Sequence, residues 1–598
     1  MEQLKKRRTR VLRACENCRQ RKRKCSGKVV CSECAKYGDV CVIRSHFSAA
    51  SSISTPQSDS KEQLEIPDYL SVRGQNDAPE YFGPASNYSF VNQLNRVLQQ
   101  LDNSNDDENK GLDRFGMGPS VLDQSNTDFS VDEISTDTMN RLLVAFLETW
   151  SVTCPIFEAP QLFNLASHTW KSPSSTPNDR ALLYLVLALG ASTSYFDVDE
   201  SNADVFPLAR GFFNLALHAV PGISSQTSFE AVRVVFLMSL CACALGDTAL
   251  SYVYSGIAVR ISLAIGLHKN SVVTRSPDYA HRQRVWVSIW QFEHYWSFCV
   301  GRPSSLGESV TAPEVKKEDF TYSGYGETNS FITTSEHMKL RVQFATSLTK
   351  INMELYSSKN DLLTILSKVE YFSSEIDNAY FASSDTQITQ AKIEDGVEFV
   401  KIERIREWFW IRIYYLYIKL IIFRPFLIFS VYLTNTSADV SQSIRDKIKA
   451  GADTCVEVAI ELSDFIIKLN KKVRMLQPVL FISSYLESTS TVLLFYTVSS
   501  LASISDVLAR RIWNALQVTR SFLNGSYGYY IGSPKIMARD GLESLHEVLT
   551  KKDTDDRKTY LDKIMSAVSV SSPTPQEFQD EMGLEAFWMQ TLDWISYS

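Results

Sequence analysis

From about Ser135 to Leu549 apolar residues recur at helical spacing, in stretches of about 10–20 positions separated by polar connections. Leu142-Leu143-Val144-Ala145-Phe146-Leu147, Ala181–Ala191, Ala231–Leu245, Ile402–Leu420 and Ala452–Ile467 are the clearest stretches. Strand alternation closed by a tight hairpin is scarce, and Asn524-Gly525 stands nearly alone as a hairpin signal. The pattern predicts a large all-α body. It lapses twice. Between His46 and about Ser130 the chain turns to Ser, Asn, Asp and Gln, with Ser48, Ser51, Ser52 and Ser54 close together, which predicts a disordered linker. After about residue 550 acids interleave with large hydrophobes. Trp408 to Leu433 is the densest apolar stretch, but Arg412, Lys419, Arg424 and the helix breaker Pro425 interrupt it. Charges at that depth are costly in a bilayer, so the stretch is predicted to be a buried helix with its bases at one edge, not a membrane span.

Composition agrees with a helical globular protein. The 598 residues are 44% hydrophobic and 22% charged, with only 24 Gly and 19 Pro to break elements. Charge adds something new. The net charge of -7 conceals residues 1–46, with 14 Lys+Arg against 4 Asp+Glu, and an acidic remainder with 47 against 64. A basic head on an acidic body predicts a polyanionic partner for the head. The first residues, Met-Glu-Gln-Leu-Lys-Lys-Arg-Arg, lead into no apolar run, so a secretory signal is not expected. An intracellular, reducing setting follows, in which clustered cysteines bind metal before they form disulfides.

Six of the 11 cysteines lie together: Cys15, Cys18, Cys25, Cys31, Cys34 and Cys41. Their spacing is C-x2-C-x6-C, five residues, then C-x2-C-x6-C again. Thiolate-only tetrahedral sites select zinc. Two separate four-coordinate zincs would need eight sulfurs, so six cysteines holding two zincs must share two sulfurs. The pseudo-twofold of the halves nominates Cys15 and Cys31 as the bridges. One zinc then takes Cys15, Cys18, Cys25 and Cys31, and the other Cys15, Cys31, Cys34 and Cys41. So short a module has no hydrophobic core, and metal binding supplies its folding free energy. Arg19-Gln20-Arg21-Lys22-Arg23-Lys24 is pinned between the second and third cysteines, where it can project fixed cations at phosphates and base edges. Lys5, Lys6, Arg7, Arg8, Arg10 and Arg13 add an electrostatic arm that also reads as a nuclear import signal. The other cysteines, Cys154, Cys241, Cys243, Cys299 and Cys455, sit in apolar stretches and are expected to be core.

Ala14 to Cys25, followed by Ser26-Gly27 and the second half, closely resembles the zinc binuclear cluster of fungal transcription regulators. The resemblance implies that Lys22 contacts the bases of a CGG triplet and that Arg19 and Arg21 lie along the DNA backbone. Arg23 and Lys24 complete the expected DNA-binding set. The family often has proline before the fourth cysteine, where this chain has Val29-Val30. Two further segments resemble the middle regulatory domain of the same regulators: Ser255 to His268, and Arg282 to Trp290 followed by Gly301-Arg302-Pro303. Here Gly256 and Ala258 are expected to permit close helix crossing, Gly266 to end a helix, and Gly301-Arg302-Pro303 to mark a break. Val287 and Glu293 stand where the family usually has tryptophan and aspartate. Tyr414–Leu427, ending Phe423-Arg424-Pro425-Phe426-Leu427, and Tyr81-Phe82-Gly83-Pro84-Ala85-Ser86 also resemble family segments.

Heptad positions after the module are few. Val91, Leu94, Leu98 and Leu101 fit about a heptad and a half, short of the three or four that a coiled coil needs. Val91–Leu101 is therefore read as a helix packed on the body, and a homodimer stays open. No catalytic motif emerges. Gly301 to Gly307 is spaced loosely like a phosphate loop, but Glu308 stands where lysine is required. Gly525, Gly528 and Gly532 follow no clear strand, and His268, His281 and His294 lack companion carboxylates and are expected to be structural. The tail places Phe578, Met582, Phe587, Trp588, Leu592, Trp594 and Tyr597 among acids, with no Lys or Arg after Lys563. Such a segment suits aromatic anchoring in coactivator or mediator-type grooves.

The expected protein is mostly α: a basic arm and zinc binuclear cluster at 1–46, a flexible linker at 47–130, an all-α regulatory domain at 131–550, and an acidic-aromatic activation tail at 551–598. The expected function is nuclear, sequence-specific regulation of RNA polymerase II genes, as an activator that binds two zinc ions and CGG-containing double-stranded DNA. The alternative is a chromatin- or corepressor-complex subunit that uses the cluster only as a DNA tether. Neither is an enzyme.

Overall fold

A computed structural model describes residues 69–72, 79–87, 89–90, 129–193, 205–274, 276–307, 309–320, 333–356, 362–383, 402–435, 440–472, 479–499 and 504–526, together with Lys36. The chain divides into two compact units, residues 1–62 and 63–598. In the first, Lys36 is helical and exposed.

The second unit begins with a small antiparallel ribbon of β1 (Tyr69–Val72) and β2 (Pro79–Phe82), in register Tyr69 with Phe82 and Val72 with Pro79. Helices follow: α1 (Thr136–Thr153), α2 (Ala159–Thr169), α3 (Pro177–Thr193), α4 (Val205–Ala219), α5 (Phe229–Ala244), α6 (Thr248–Ala264), α7 (Tyr279–Cys299), α8 (Ser335–Ile351), α9 (Leu362–Ala382), α10 (Ile402–Asn435), α11 (Gln442–Lys472), α12 (Val479–Ser499) and α13 (Asp506–Ser526). Adjacent helices pair: α3 with α4, α5 with α6, α7 with α8, and α10 with α11. The predicted all-α body is what forms.

Capping fixes where several helices start. Ser135, Ser228, Asp247 and Thr334 each accept a hydrogen bond from a first-turn amide, at 3.0–3.3 Å. Each such cap contributes about 1 kcal/mol. Gly266 ends α6 as expected: at φ +78° its N–H reaches the Leu263 carbonyl while that of Leu267 reaches Ser262. Helix α5 is buried on nearly every side, as a helix apolar on almost every face must be. In α7 the run from Gln283 to Phe298 is entirely buried. Two long polar side chains inside that run reach named partners. Arg284 pairs with Glu158 and donates to the Asp319 carbonyl at 2.7 Å. Gln291 donates to the Thr153 carbonyl at 2.9 Å and accepts from Arg341 at 2.8 Å. Val287, where the family has tryptophan, is core.

Two expectations about α10 are corrected. Pro425 does not break it; the helix runs through to Asn435. A proline removes the amide that should serve the carbonyl four residues back, which is Ile421. The phenol of Tyr356, on a π-helical turn Asn352–Tyr356 after α8, donates to that carbonyl at 2.6 Å instead. The bases do not share one edge either. Arg412 pairs with Glu461 and Lys419 with Asp377, both toward the rim, whereas Arg424 is only 1% exposed. By length and composition Arg404–Ser430 could cross a membrane, but 78% of its apolar window is buried against other helices. A third expectation fails at Gly256: its missing side chain faces Ser305 of a loop, not another helix.

Candidate DNA-binding module and the segment docked on the helical body

The residues expected to bind metal and DNA (Cys15, Cys18, Cys25, Cys31, Cys34, Cys41, Arg19, Arg21, Lys22, Arg23 and Lys24) lie outside the described residues, as do Val91–Leu101 and the tail after Ser526. The donor set itself suits zinc. Six thiolates around two divalent ions leave a charge of about −2, which the surrounding +10 more than offsets. Among the described residues there is no group of three His, Cys, Asp or Glu able to hold a metal. The other five cysteines are free thiols, and burial pushes Cys154 up to about 11 and Cys299 up to about 12. Thiols so raised stay protonated and unreactive. His281 bonds the Ile156 carbonyl at 2.8 Å, and His294 bonds Thr349 Oγ1 at 2.6 Å. Burial lowers both to about 4, as befits neutral core imidazoles. Gly301 to Gly307 follows a helix C-terminus, with no strand before it.

What sequence reasoning missed is how residues 79–90 are held. Composition places the stretch in the linker, yet Phe82, Ala85, Ser86, Ser89 and Phe90 are each at most 6% exposed. The receptor has two ends. At one end α7 closes in a Schellman turn. Gly301, at φ +67°, donates to the Phe298 carbonyl at 2.9 Å, and Arg302 N–H donates to Ser297 at 2.8 Å. That turn presents bare backbone to Gly83: a Cβ built on Gly83 would lie 2.1 Å from the Gly301 oxygen. Arg302 Nε donates to the Tyr81 carbonyl at 2.9 Å, and its guanidinium stacks over the rings of Phe82 and Tyr252. The loop beyond is anchored by Glu293, which accepts from Ser304 at 2.6 Å and from Ser297 at 3.1 Å. Burial raises the Glu293 pKa.

The other end is Arg424. Its guanidinium donates to the Ala85 carbonyl and, at 3.1 Å, to Asn87 Oδ1. The rings of Phe90 and Tyr356 lie 4.9 and 5.5 Å from its centre. Asn87 donates in turn to Ser488 of α12, and Phe90 stacks on Phe495 at 5.1 Å. Within the segment, Ser86 Oγ donates to the Gly83 carbonyl at 2.8 Å and accepts from Ser89 N–H at 3.1 Å. Gly301-Arg302-Pro303 and Phe423-Arg424-Pro425, read separately as family motifs, thus hold one segment between them. The motif at 81–86 was the available signal.

Residues 13–49 match the fungal Zn(2)-Cys(6) binuclear cluster domain, and residues 143–400 match the fungal specific transcription factor domain. The chain is 48% identical over 646 aligned residues to "Zinc finger protein grt1" of Schizosaccharomyces pombe, covering 99% of this chain and 100% of that protein. The chain belongs to the fungal zinc binuclear cluster family of transcription regulators. More distant similarity reaches "Activatory protein CHA4" of Saccharomyces cerevisiae, at 22% over 421 residues, 60% of this chain and 64% of that one. "Protein RDR1" of the same yeast is 24% identical over 357 residues, 53% of this chain and 63% of that one. Zinc binding and DNA binding in transcription regulation follow from the family. The docked segment lies before the 143–400 match and Arg424 beyond it, so the receptor spans more of the chain than that domain.

Proposed function

We propose that this regulator is a nuclear activator that carries two zinc ions on Cys15, Cys18, Cys25, Cys31, Cys34 and Cys41, with Cys15 and Cys31 bridging, and reads CGG triplets through Lys22. The observation that carries this reading is the paired C-x2-C-x6-C spacing with five cations in the six residues after Cys18. Lys22 reaches base edges, while Arg19, Arg21, Arg23 and Lys24 neutralise phosphates and set register. The division into module, linker, helical body and tail at 1–46, 47–130, 131–550 and 551–598 belongs to the same proposal. So does the tail's role, docking aromatic anchors into coactivator or mediator-type grooves, with its acids keeping it solvated when free. A homodimer would let two modules read paired triplets.

Lys22→Ala is expected to cost about 1–3 kcal/mol of discrimination for CGG over a scrambled duplex. Competition binding at fixed salt measures it. An equal loss on both duplexes would make Lys22 a phosphate contact only. Residues 551–598 fused to an unrelated DNA-binding domain should raise reporter expression several-fold; a silent fusion would remove the activator part and favour the tethered-subunit alternative.

A further inference from the structure

We infer that Arg341, inside the helical body, is a binding site for a small carboxylate, which it takes through the two terminal nitrogens of its guanidinium. Arg341 lies on α8 and is only 9% exposed. Its Nε and Nη2 both donate to a single atom, Gln291 Oε1, at 3.1 and 2.8 Å. Gln291 is neutral, and its amide nitrogen is committed to the Thr153 carbonyl at 2.9 Å. The ring of Tyr414 lies 5.5 Å from the guanidinium centre. Gln291 therefore uses two of the five N–H groups, and no Asp or Glu among the described residues pairs with Arg341. The C-terminus of α1, reached through Gln291, carries about half a negative charge, and Thr333 and Gln291 already occupy its carbonyls.

Other guanidiniums packed in the body are compensated differently. Arg284, Arg406 and Arg412 each have an acid: Glu158, Glu148 and Glu461. Arg424 has none, but its Nη1 and Nη2 are filled by Asn87 Oδ1 and the Ala85 carbonyl. Arg341 has neither arrangement. The edge that Gln291 does not use is the Nη1–Nη2 edge, whose parallel N–H groups match the two oxygens of a carboxylate. A cation taken out of water needs a counter-charge as well as filled donors, and a carboxylate supplies both. Two more polar groups belong to the same site. His337, four residues earlier on α8 and so on the same face, is 5% exposed; neither ring nitrogen makes a hydrogen bond, and the Val152 carbonyl lies near without aligning. Burial, and then the charges of Arg341 and Arg404, hold its pKa well below the usual range, so it is neutral and has one N–H to offer. The Tyr414 hydroxyl of α10 is also buried without a hydrogen-bond partner. A carboxylate on Arg341 would add a charged contact where α7, α8 and α10 meet, so its binding should stabilise the body.

The test uses the full-length zinc-loaded protein at fixed pH and ionic strength, with sodium formate, acetate, nitrate or chloride as the added salt. Hydrogen exchange of the α8 amides should be at least tenfold slower in formate or acetate than in chloride. Arg341→Met removes the cation and should erase that difference. Arg341→Lys keeps the charge but not the fork and should erase it too. Arg511→Ala, at an exposed ion pair of α13, should preserve it. Equal rates in all four salts would remove the site. Protection that survives both Arg341 variants would be a general salt effect or binding elsewhere, and the assignment to Arg341 would fall. Slowing by nitrate or chloride without formate or acetate would overturn the carboxylate as the ligand.

Discussion

Cys15→Ser will leave no more than one zinc per chain and abolish recognition of CGG duplexes. The reason is ligand sharing. With six sulfurs for two tetrahedral ions, a bridging thiolate serves both, so its loss opens both shells, whereas Cys18→Ser would open only one. Serine offers a hard, protonated oxygen in place of a soft thiolate. Each structural zinc contributes roughly 10–16 kcal/mol of binding free energy, and in a module without a core that energy is the folding energy. Metal analysis and a gel shift on the purified protein measure both effects, and stripping the wild type with chelator should reproduce them. Two zincs retained by Cys15→Ser would remove Cys15 as a bridge; a wild-type stoichiometry of one would end the bridging scheme.

A fragment beginning at residue 131, where sequence pattern alone starts the helical domain, will be far less stable than one beginning at residue 63. The shorter fragment lacks the Ala85 and Asn87 oxygens that Arg424 bonds, each hydrogen bond to a buried cation being worth about 1.5–3 kcal/mol. It also strips Phe82 and Phe90 from the core, at about 1.5–3 kcal/mol each. Chemical denaturation of the two fragments gives the comparison. Adding Arg424→Met to the shorter fragment should recover part of the loss, because it removes the stranded charge. Equal midpoints for the two fragments would show that the segment contributes nothing to the fold.

The helical body was legible because its stripes are long and its caps ordinary: Ser135, Ser228 and the glycine stops at 266 and 301 behave as local rules require. The zinc cluster family was legible because thiolate chemistry constrains cysteine spacing tightly, and the match at residues 13–49 agrees. The receptor was not, since its parts act over long sequence separations. Arg424 meets Ala85 across 339 positions, and Asn87 meets Ser488 across 401. Local pattern could mark Pro425 as a breaker but could not foresee the Tyr356 phenol, 65 positions away, supplying the missing donor. Nor could it tell Arg424 from Arg412, since both interrupt the same apolar run and only packing decides which one is buried.

Those separations also have a meaning in time. A ribosome adding about 5–20 residues per second needs roughly 20–80 s to pass from Asn87 to Ser488. Throughout that interval Phe90 is already made, while Phe495 of α12, on which it stacks, is not. One of the first apolar residues of the helical body is therefore among the last to be fully covered, and the nascent chain carries it without its α12 partner through most of its own synthesis.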